Sequence, residues 1–388
     1  MWTDHATFMH VYIVEALAGL PDGNRALDRL LQNQTDIGNA LVPFFGLVRT
    51  ETLVALLRDR ALIAGDLTRS RDVTMFDGAK NRLFANADAL AALFIDADPR
   101  IPVDIKALTH LQADAIIAQI SARVDRQWAD AVDAQDRFML HTNSLADILG
   151  WSITTRFPDV IAPADLNPNV AQLYRDTRVM WRQNAFWTRV VVVEAVAGLP
   201  DTYMAINQLM LNVIDLGNAV KPFYTPAEGS RLTLLLATKV IATSDYIEAA
   251  KGNDPARTAA LNARLYANAD AIAALYGAAN PGMLAEYRTL WRRDTDHMLN
   301  QINARIGSDW SNDLAAYGES VQATRTMGDT VAAGIVKQWP QAGGAVTVTS
   351  QSVPPAVQAV QLIAPVPGLP QPNPPCTSCP FGNANLLR

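Results

Sequence analysis

The chain is expected to be all-α: two tandem, homologous helical bundles of five to six helices each, followed by an extended Pro-rich C-terminal tail. Three observations predict this. The sequence repeats itself, with "VEALAGLPD" at 14–22 answered by "VEAVAGLPD" at 193–201, and "LFANADALAALF" at 83–94 answered by "LYANADAIAALY" at 265–276. Over 1–46 against 180–225 nearly half of the positions are identical without a gap. Within each copy apolar residues recur at spacings of three and four, as in Leu27, Leu30, Leu31, Ile37 and Leu41, which is the period of a helix with one buried face. Beyond residue 341 the composition changes: 342–387 carries no charged residue and holds nine of the chain's 22 prolines.

The elements follow in order. Copy one is expected over 1–159, a linker running into the first helix of copy two over 160–179, copy two over 180–341, and the tail over 342–388. In copy one the periodicity gives helices near 2–19, 23–42, 50–72, 77–95, 102–125 and 128–156. Pro21-Asp22 and Pro200-Asp201 have the form of a helix break followed by an N-cap. Ala and Leu are abundant and alternating β-branched runs are rare, which favours helix. Short connections imply that neighbouring helices run antiparallel. In the tail, "GAVTVTS" could form one strand, and the following Pro-rich stretch should be extended.

Bulk properties narrow the function classes. The 388 residues are 49% hydrophobic and 18% charged, a balance that suits a buried core and argues against disorder of the whole chain. A net charge of −6 with no basic stripe makes nucleic acid a poor partner. No signal-peptide pattern and no apolar run long enough for a membrane span is present, so a cytoplasmic protein is expected, possibly one incorporated into a larger particle. The only cysteines, Cys376 and Cys379, lie in the tail as "CTSC" between prolines. By spacing they are half of a zinc site or a redox pair, but two further ligands or a helix N-terminus would be needed; an inert pair or local disulfide is the plainer reading.

The motif Asn-x-x-Asp-x-Gly-Asn-Ala occurs at 33–40 and again at 212–219. On a helical wheel Asn33, Asp36 and Ala40 flank the core stripe, and Gly38 lies where a second helix could approach closely; Asn212, Asp215, Ala219 and Gly217 repeat the pattern. Pro43 and Pro222 then require the helix to kink or end. Asp36 and Asp215 would lie near helix C-termini, where the helix dipole disfavours a carboxylate, so each should find a cation. Arg123 and Arg305, present in both copies, are the expected partners. Two readings stand. One is a structural joint. The other is a small polar pocket binding a ligand or ion, built from Asn33, Asp36, Glu15 and Arg123 and from Asn212, Asp215, Glu194 and Arg305.

Asp66/Asp245 and Asp88/Asp270 also recur. One acid on each of four helices is the arrangement of a di-metal bundle, but the Glu-x-x-His that such sites use is missing, and no histidine aligns with another. Asp66 and Asp88 are read as solvated faces or caps, and the paired tryptophans Trp2/Trp181 and Trp128/Trp310 as packing residues. "NAD" at 86–88 and 268–270 sits mid-helix and is no cofactor motif; phosphate-loop and nucleophile-elbow patterns do not occur. No metal and no cofactor is expected.

The stretches "FWTRVVVVEAVAGLPD" (186–201), "NVIDLGNAVKPFY" (212–224) and "YANADAIAAL" (266–275) resemble a family of uncharacterised helical proteins associated with bacteria and with large DNA viruses. Units of that family carry His-x-x-Trp-Thr-Arg, Leu-Pro-Asp, Arg-Leu-Leu-x-Asn-x-x-Asp-Ile-Gly and then Pro-Tyr-Gly. Copy one keeps "RLLQNQTDIGNA" and His5; copy two has Asn184 at that place but keeps Trp187-Thr188-Arg189. A histidine expected on the third helix is Arg60 in one copy and Lys239 in the other, so neither copy has the full polar set. The resemblance covers most of 1–341 and implies the fold. Some relatives carry enzyme labels such as acetylglutamate kinase, yet the Gly-rich α/β architecture of such a kinase is missing here. The leading expectation is therefore a non-catalytic structural or assembly protein. Its tail, through Val353, Leu362, Ile363, Leu369 and Phe381, would dock on a protein partner or on a neighbouring subunit. A ligand- or ion-binding bundle and a helical enzyme are the alternatives.

Overall fold

The computed structural model describes residues 1–102, 104–158 and 168–339. The expected tail residues Val353, Leu362, Ile363, Leu369, Phe381, Cys376 and Cys379, and the expected strand, lie outside the described residues. The chain divides between Ala164 and Asp165 into two compact units. The described residues are helical throughout, with no strand.

Unit 1 holds α1 (Trp2–Ala18), α2 (Gly23–Phe45), α3 (Leu47–Arg69), α4 (Val73–Ala97), α5 (Ile105–Val124) and α6 (Trp128–Arg156). Unit 2 holds α7 (Pro168–Ala197), α8 (Thr202–Val220), α9 (Pro226–Lys251), α10 (Pro255–Ala279), a short 3₁₀ turn (Pro281–Met283), α11 (Leu284–Ile306) and α12 (Trp310–Gln338). In both units each helix packs on the next, and the last returns to the first. The first helix also touches the third and fifth, so it runs through the middle of its bundle.

Sequence explains this central place. From His5 to Glu15 every residue of α1 is buried. Apolar side chains surround it on all sides, which is the pattern of a fully enclosed helix rather than a surface one. In α7 the same stretch reads Ala185, Phe186, Trp187 and Val190 to Val193, all buried. Each such side chain contributes about 1.5–3 kcal/mol when fully removed from water.

The "AGLPD" repeat ends this helix. Gly19 and Gly198 adopt φ of 64° and 69°, the left-handed conformation that glycine takes without strain. Leu20 N–H then donates to Glu15 O at 2.9 Å, and Leu199 N–H to Glu194 O at 2.9 Å. Both are Schellman closures. Proline follows because the helix cannot continue. Asp22 and Asp201 do stand at the N-cap positions of α2 and α8, but neither side chain makes the capping bond. Both are buried instead.

Two other expectations change. Helix α2 does not end at Pro43 but runs through it to Phe45, so the proline sits in the last turn. Its lost hydrogen bond falls where carbonyls are already leaving the helix. Gly46, at φ 79°, alone connects α2 to α3. Copy two replaces that tight corner with residues 221–225 and opens α9 with a capping box between Thr225 and Glu228.

The repeated glycine of the motif is a packing device. A Cβ on Gly38 would run into the Val54 side chain of α3. On Gly217 it would meet the Thr233 side chain and come within 2.7 Å of the Gly229 carbonyl oxygen on α9. Gly38→Ala and Gly217→Ala should both lower stability by overpacking, by about 1–3 kcal/mol. The second should cost more, because a backbone carbonyl cannot rotate away as a valine methyl can. Urea denaturation of the two variants measures the difference.

Candidate functional site

Asn33 and Asn212 are buried, and each clips the second helix of its unit to the first. Asn33 Nδ2 donates to Met1 O at 3.1 Å, and Asn212 Nδ2 to Met180 O at 3.2 Å. Asn184 donates to Asn212 Oδ1 at 2.9 Å. The asparagines of "NAD" do the same for the next pair: Asn86 Nδ2 reaches Leu56 O at 2.8 Å, and Asn268 Nδ2 reaches Leu235 O at 2.9 Å. Four asparagines thus donate their side-chain N–H groups to main-chain carbonyls of a neighbouring helix or its N-cap.

The motif acids point elsewhere. Asp36 accepts from Gln32 Nε2 at 3.0 Å and faces Arg29 Nη1 at 3.7 Å on the rim of the bundle. Asp215 lies at the surface, where partial desolvation raises its carboxyl pKa. Neither meets the arginine expected for it. Arg305 is bound to Asp313, with Nη1 to Oδ2 at 2.9 Å, and Arg123 lies beside His10. The motif does not carry its own counter-ion because Asp36 and Asn33, three residues apart, fall on different sides of the helix boundary with solvent.

The four residues expected to line a pocket in each copy are therefore spread along the bundle. Asn33 and Asn212 belong near the start of the central helix. Glu15 and Glu194 are buried at its far end, about 21 Å along at 1.5 Å per residue. Asp66 and Asp88 are surface acids: Asp66 pairs with Arg69 and Arg82, Asp88 with Lys106 and His110. Asp270 repeats the latter with Arg288 and Arg292. Among the described residues no group of three or more His, Cys, Asp or Glu is placed to hold a metal ion.

What fills the interior instead is a pair of polar stations along each central helix. The upper station of unit 1 holds His5, Arg60, Asn86 and Gln112. Arg60 is 1% exposed; its Nε donates to Asn86 Oδ1 at 3.1 Å and its Nη1 to Gln112 Oε1 at 2.8 Å. Burial lowers its pKa to about 10, so it is charged at neutral pH. Burial, then the Arg60 charge, lower His5 to about 3, so its ring is neutral. In unit 2 the counterparts of Arg60 and Gln112 are Lys239 and Asp294, which form an ion pair.

The lower station differs in the same way. In unit 1, Gln119 donates to His10 Nδ1, and Gln135 is buried close to the same ring. Burial and then Arg123 hold His10 well below the usual imidazole range. In unit 2 the counterpart of His10 is Arg189, and that of Ala131 is Asp313. They form a fork, Nη2 to Oδ2 at 2.7 Å, with both side chains 1% exposed. Arg305 joins the same carboxylate and stacks over Trp310 at 5.3 Å. A buried cation has appeared together with the acid that neutralises it.

His10, Arg60, Gln112, Arg189, Asp294 and Asp313 were missed by searching for residues identical in both copies. The usable signal was the reverse, positions that differ in compensating pairs. Comparison of the chain with protein-family models, with curated proteins and with solved structures finds no match. Chemically, these stations tie helices together through charge-assisted hydrogen bonds, and in unit 2 each cation shares a carboxylate, Lys239 with Asp294 and Arg189 and Arg305 with Asp313.

Two outcomes are expected. Asp313→Ala alone should destabilise unit 2 by about 3–5 kcal/mol, because two guanidiniums lose their carboxylate in the interior. Adding Arg189→His and Tyr317→Gln, which reproduces copy one's residues, should recover most of that loss in a denaturation cycle. Secondly, a buried histidine held neutral contributes stability that is full above pH 6.5 and declines as the pH falls towards its folded value. The unfolded chain binds the proton first, at up to about 1.4 kcal/mol per pH unit for each group. His5→Asn and His10→Gln should each flatten the loss of stability between about pH 6.5 and pH 4 in acid-dependent unfolding curves.

Proposed function

We propose that the protein is a non-catalytic assembly component whose bundles are rigid spacers and whose C-terminal tail docks on a partner or on a neighbouring subunit. The observation that carries this reading is the surface beside the place where the tail begins. Trp339, the last described residue, packs on Phe223 at 6.3 Å and on Tyr224 at 5.6 Å, at the α8–α9 corner. From that corner the outer face of α8 and α9 exposes Leu211, Ile214, Leu234 and Ile241, between 44% and 67% accessible. At about 100° per residue all four lie on the side of the Gly217–Gly229 seam away from the core.

Copy one has Gln32, Thr35, Ala55 and Leu62 at these positions. There Gln32 hydrogen-bonds Asp36, and Arg58 reaches Thr35 Oγ1 at 3.0 Å. All four positions are thus apolar only in the copy that bears the tail; in copy one Ala55 and Leu62 alone are. Adjacent exposed apolar side chains of this kind mark interaction surfaces. An uncharged tail rich in Val, Leu and Pro has the matching chemistry, and a particle- or capsid-associated setting suits such a tether. No helix among the described residues is long and apolar enough to cross a membrane.

The test compares the full chain with a truncation after Gln341 and with Leu234→Ser/Ile241→Ser, using light scattering and cross-linking. Concentration-dependent assembly by the full chain, abolished in the truncation and weakened at least tenfold in the double variant, is expected. Identical monomeric behaviour of all three would refute the self-assembly form of the reading. Failure of an immobilised 342–388 peptide to retain any component of the native source would refute the partner form. A small-ion-binding bundle is the second reading, favoured by the surroundings of Arg60.

A further inference from the structure

We propose that the interior of unit 1 binds a monatomic anion of chloride or bromide size against Arg60, independently of any role in assembly.

The warrant is a charge that the chain does not neutralise. Arg60 is enclosed, and two of its three nitrogens are taken by neutral acceptors, Asn86 and Gln112. Nη2 is buried and has no partner. The carboxylate tied into the same network, Asp59, is exposed and accepts from Asn86 Nδ2 at 3.3 Å rather than from the guanidinium. An interior cation without an anion costs several kcal/mol, which proteins avoid by pairing it. Unit 2 does so at this position, where Asp294 stands in place of Gln112 and binds Lys239.

Donors for an anion are gathered there. His5 Nδ1 and both polar atoms of Gln34 are buried without partners, and His5 is close enough to Arg60 to feel its charge. Gln34 corresponds to Val213. In unit 2, Val213 lines one cavity together with Asn184 and Lys239, the counterparts of His5 and Arg60. The shared fold therefore brings Gln34, His5 and Arg60 to one place. The neutral His5 ring and the Gln34 amide can both donate, as can Arg60 Nη2, and an anion needs donors only. The size follows from the packing. The unit 2 cavity has a volume of 10 Å³, about one water-sized sphere. In unit 1 the larger His5 and Gln34 stand where unit 2 has Asn184 and Val213, so this volume is an upper limit there, and a phosphate or a carboxylic acid does not fit it.

The experiment uses the full chain in methanesulfonate buffer, titrated with bromide at constant ionic strength. Thermal unfolding should show a saturating rise of about 2–4 °C or more. Crystals grown in bromide should show an anomalous peak within hydrogen-bond distance of Arg60 Nη2. Arg60→Met removes the cation and should abolish both signals. Gln112→Glu supplies the acid of copy two and should raise Tm without halide while cancelling the halide response. Gln112 also donates to His141 O at 3.3 Å, so that variant risks misfolding, and Arg60→Met then decides. A halide response kept by Arg60→Met overturns the proposal, as does a non-saturating response. An ordered water in place of the anomalous peak overturns it too.

Discussion

Everything else in each bundle depends on the enclosure of its first helix. A helix packed against four others has no face for water along its buried length, so a polar side chain there needs a partner from a neighbour to escape the cost of burial. The sequence nevertheless places titratable or amide side chains at three matching positions of each central helix: His5, His10 and Glu15 on α1, and the half-buried Asn184 with the buried Arg189 and Glu194 on α7. Each fixes what surrounding helices carry. Asn212 beside Asn184, Gln119 beside His10 and Asp313 beside Arg189 are answers to that one constraint. Because an unsatisfied buried group costs more than a satisfied one returns, these contacts specify register more than they add stability.

The two copies solve the same problem with different chemistry. Copy one places an uncharged imidazole at its lower station, hydrogen-bonded to Gln119 and beside Arg123. Copy two puts a second cation there and brings a carboxylate with it, Arg189 and Asp313 arriving together. At the upper station the relation is incomplete, since Arg60 keeps the cation of the pair but faces Gln112 rather than an acid. The pH sensitivity of the two bundles should differ for the same reason. The buried imidazoles of copy one make stability fall as the pH drops below about 6.5, and copy two has asparagine and arginine at those two positions.

The repeated polar motif that drew attention in the sequence turns out to divide its labour. Asn33 and Asn212 hold helices together. Gly38 and Gly217 let the third helix come close. Asp36 and Asp215 face outwards. The residues that differ between the copies, which identity between repeats discards, proved to be the electrostatically interesting ones. A duplicated sequence is thus better searched for paired changes than for shared letters, because a buried charge constrains a sum and not a residue type.

The sequence by itself determined the local structure. The helical period, the Gly-Leu-Pro break at 19–21 and 198–200, and the duplication follow from backbone preferences and apolar spacing, which act over a few residues and leave their mark in order along the chain. The helices near 2–19 and 128–156, for example, match α1 and α6 to within a residue. Only the tertiary structure decided which polar residues meet. Arg189 and Asp313 lie 124 residues apart, and Arg60 and Gln112 52 apart. Their pairing depends on helix packing angles and rotation that no local pattern encodes. The same is true of Asp36, whose three-residue distance from Asn33 separates a buried joint from a solvated rim once a third helix covers one side of α2.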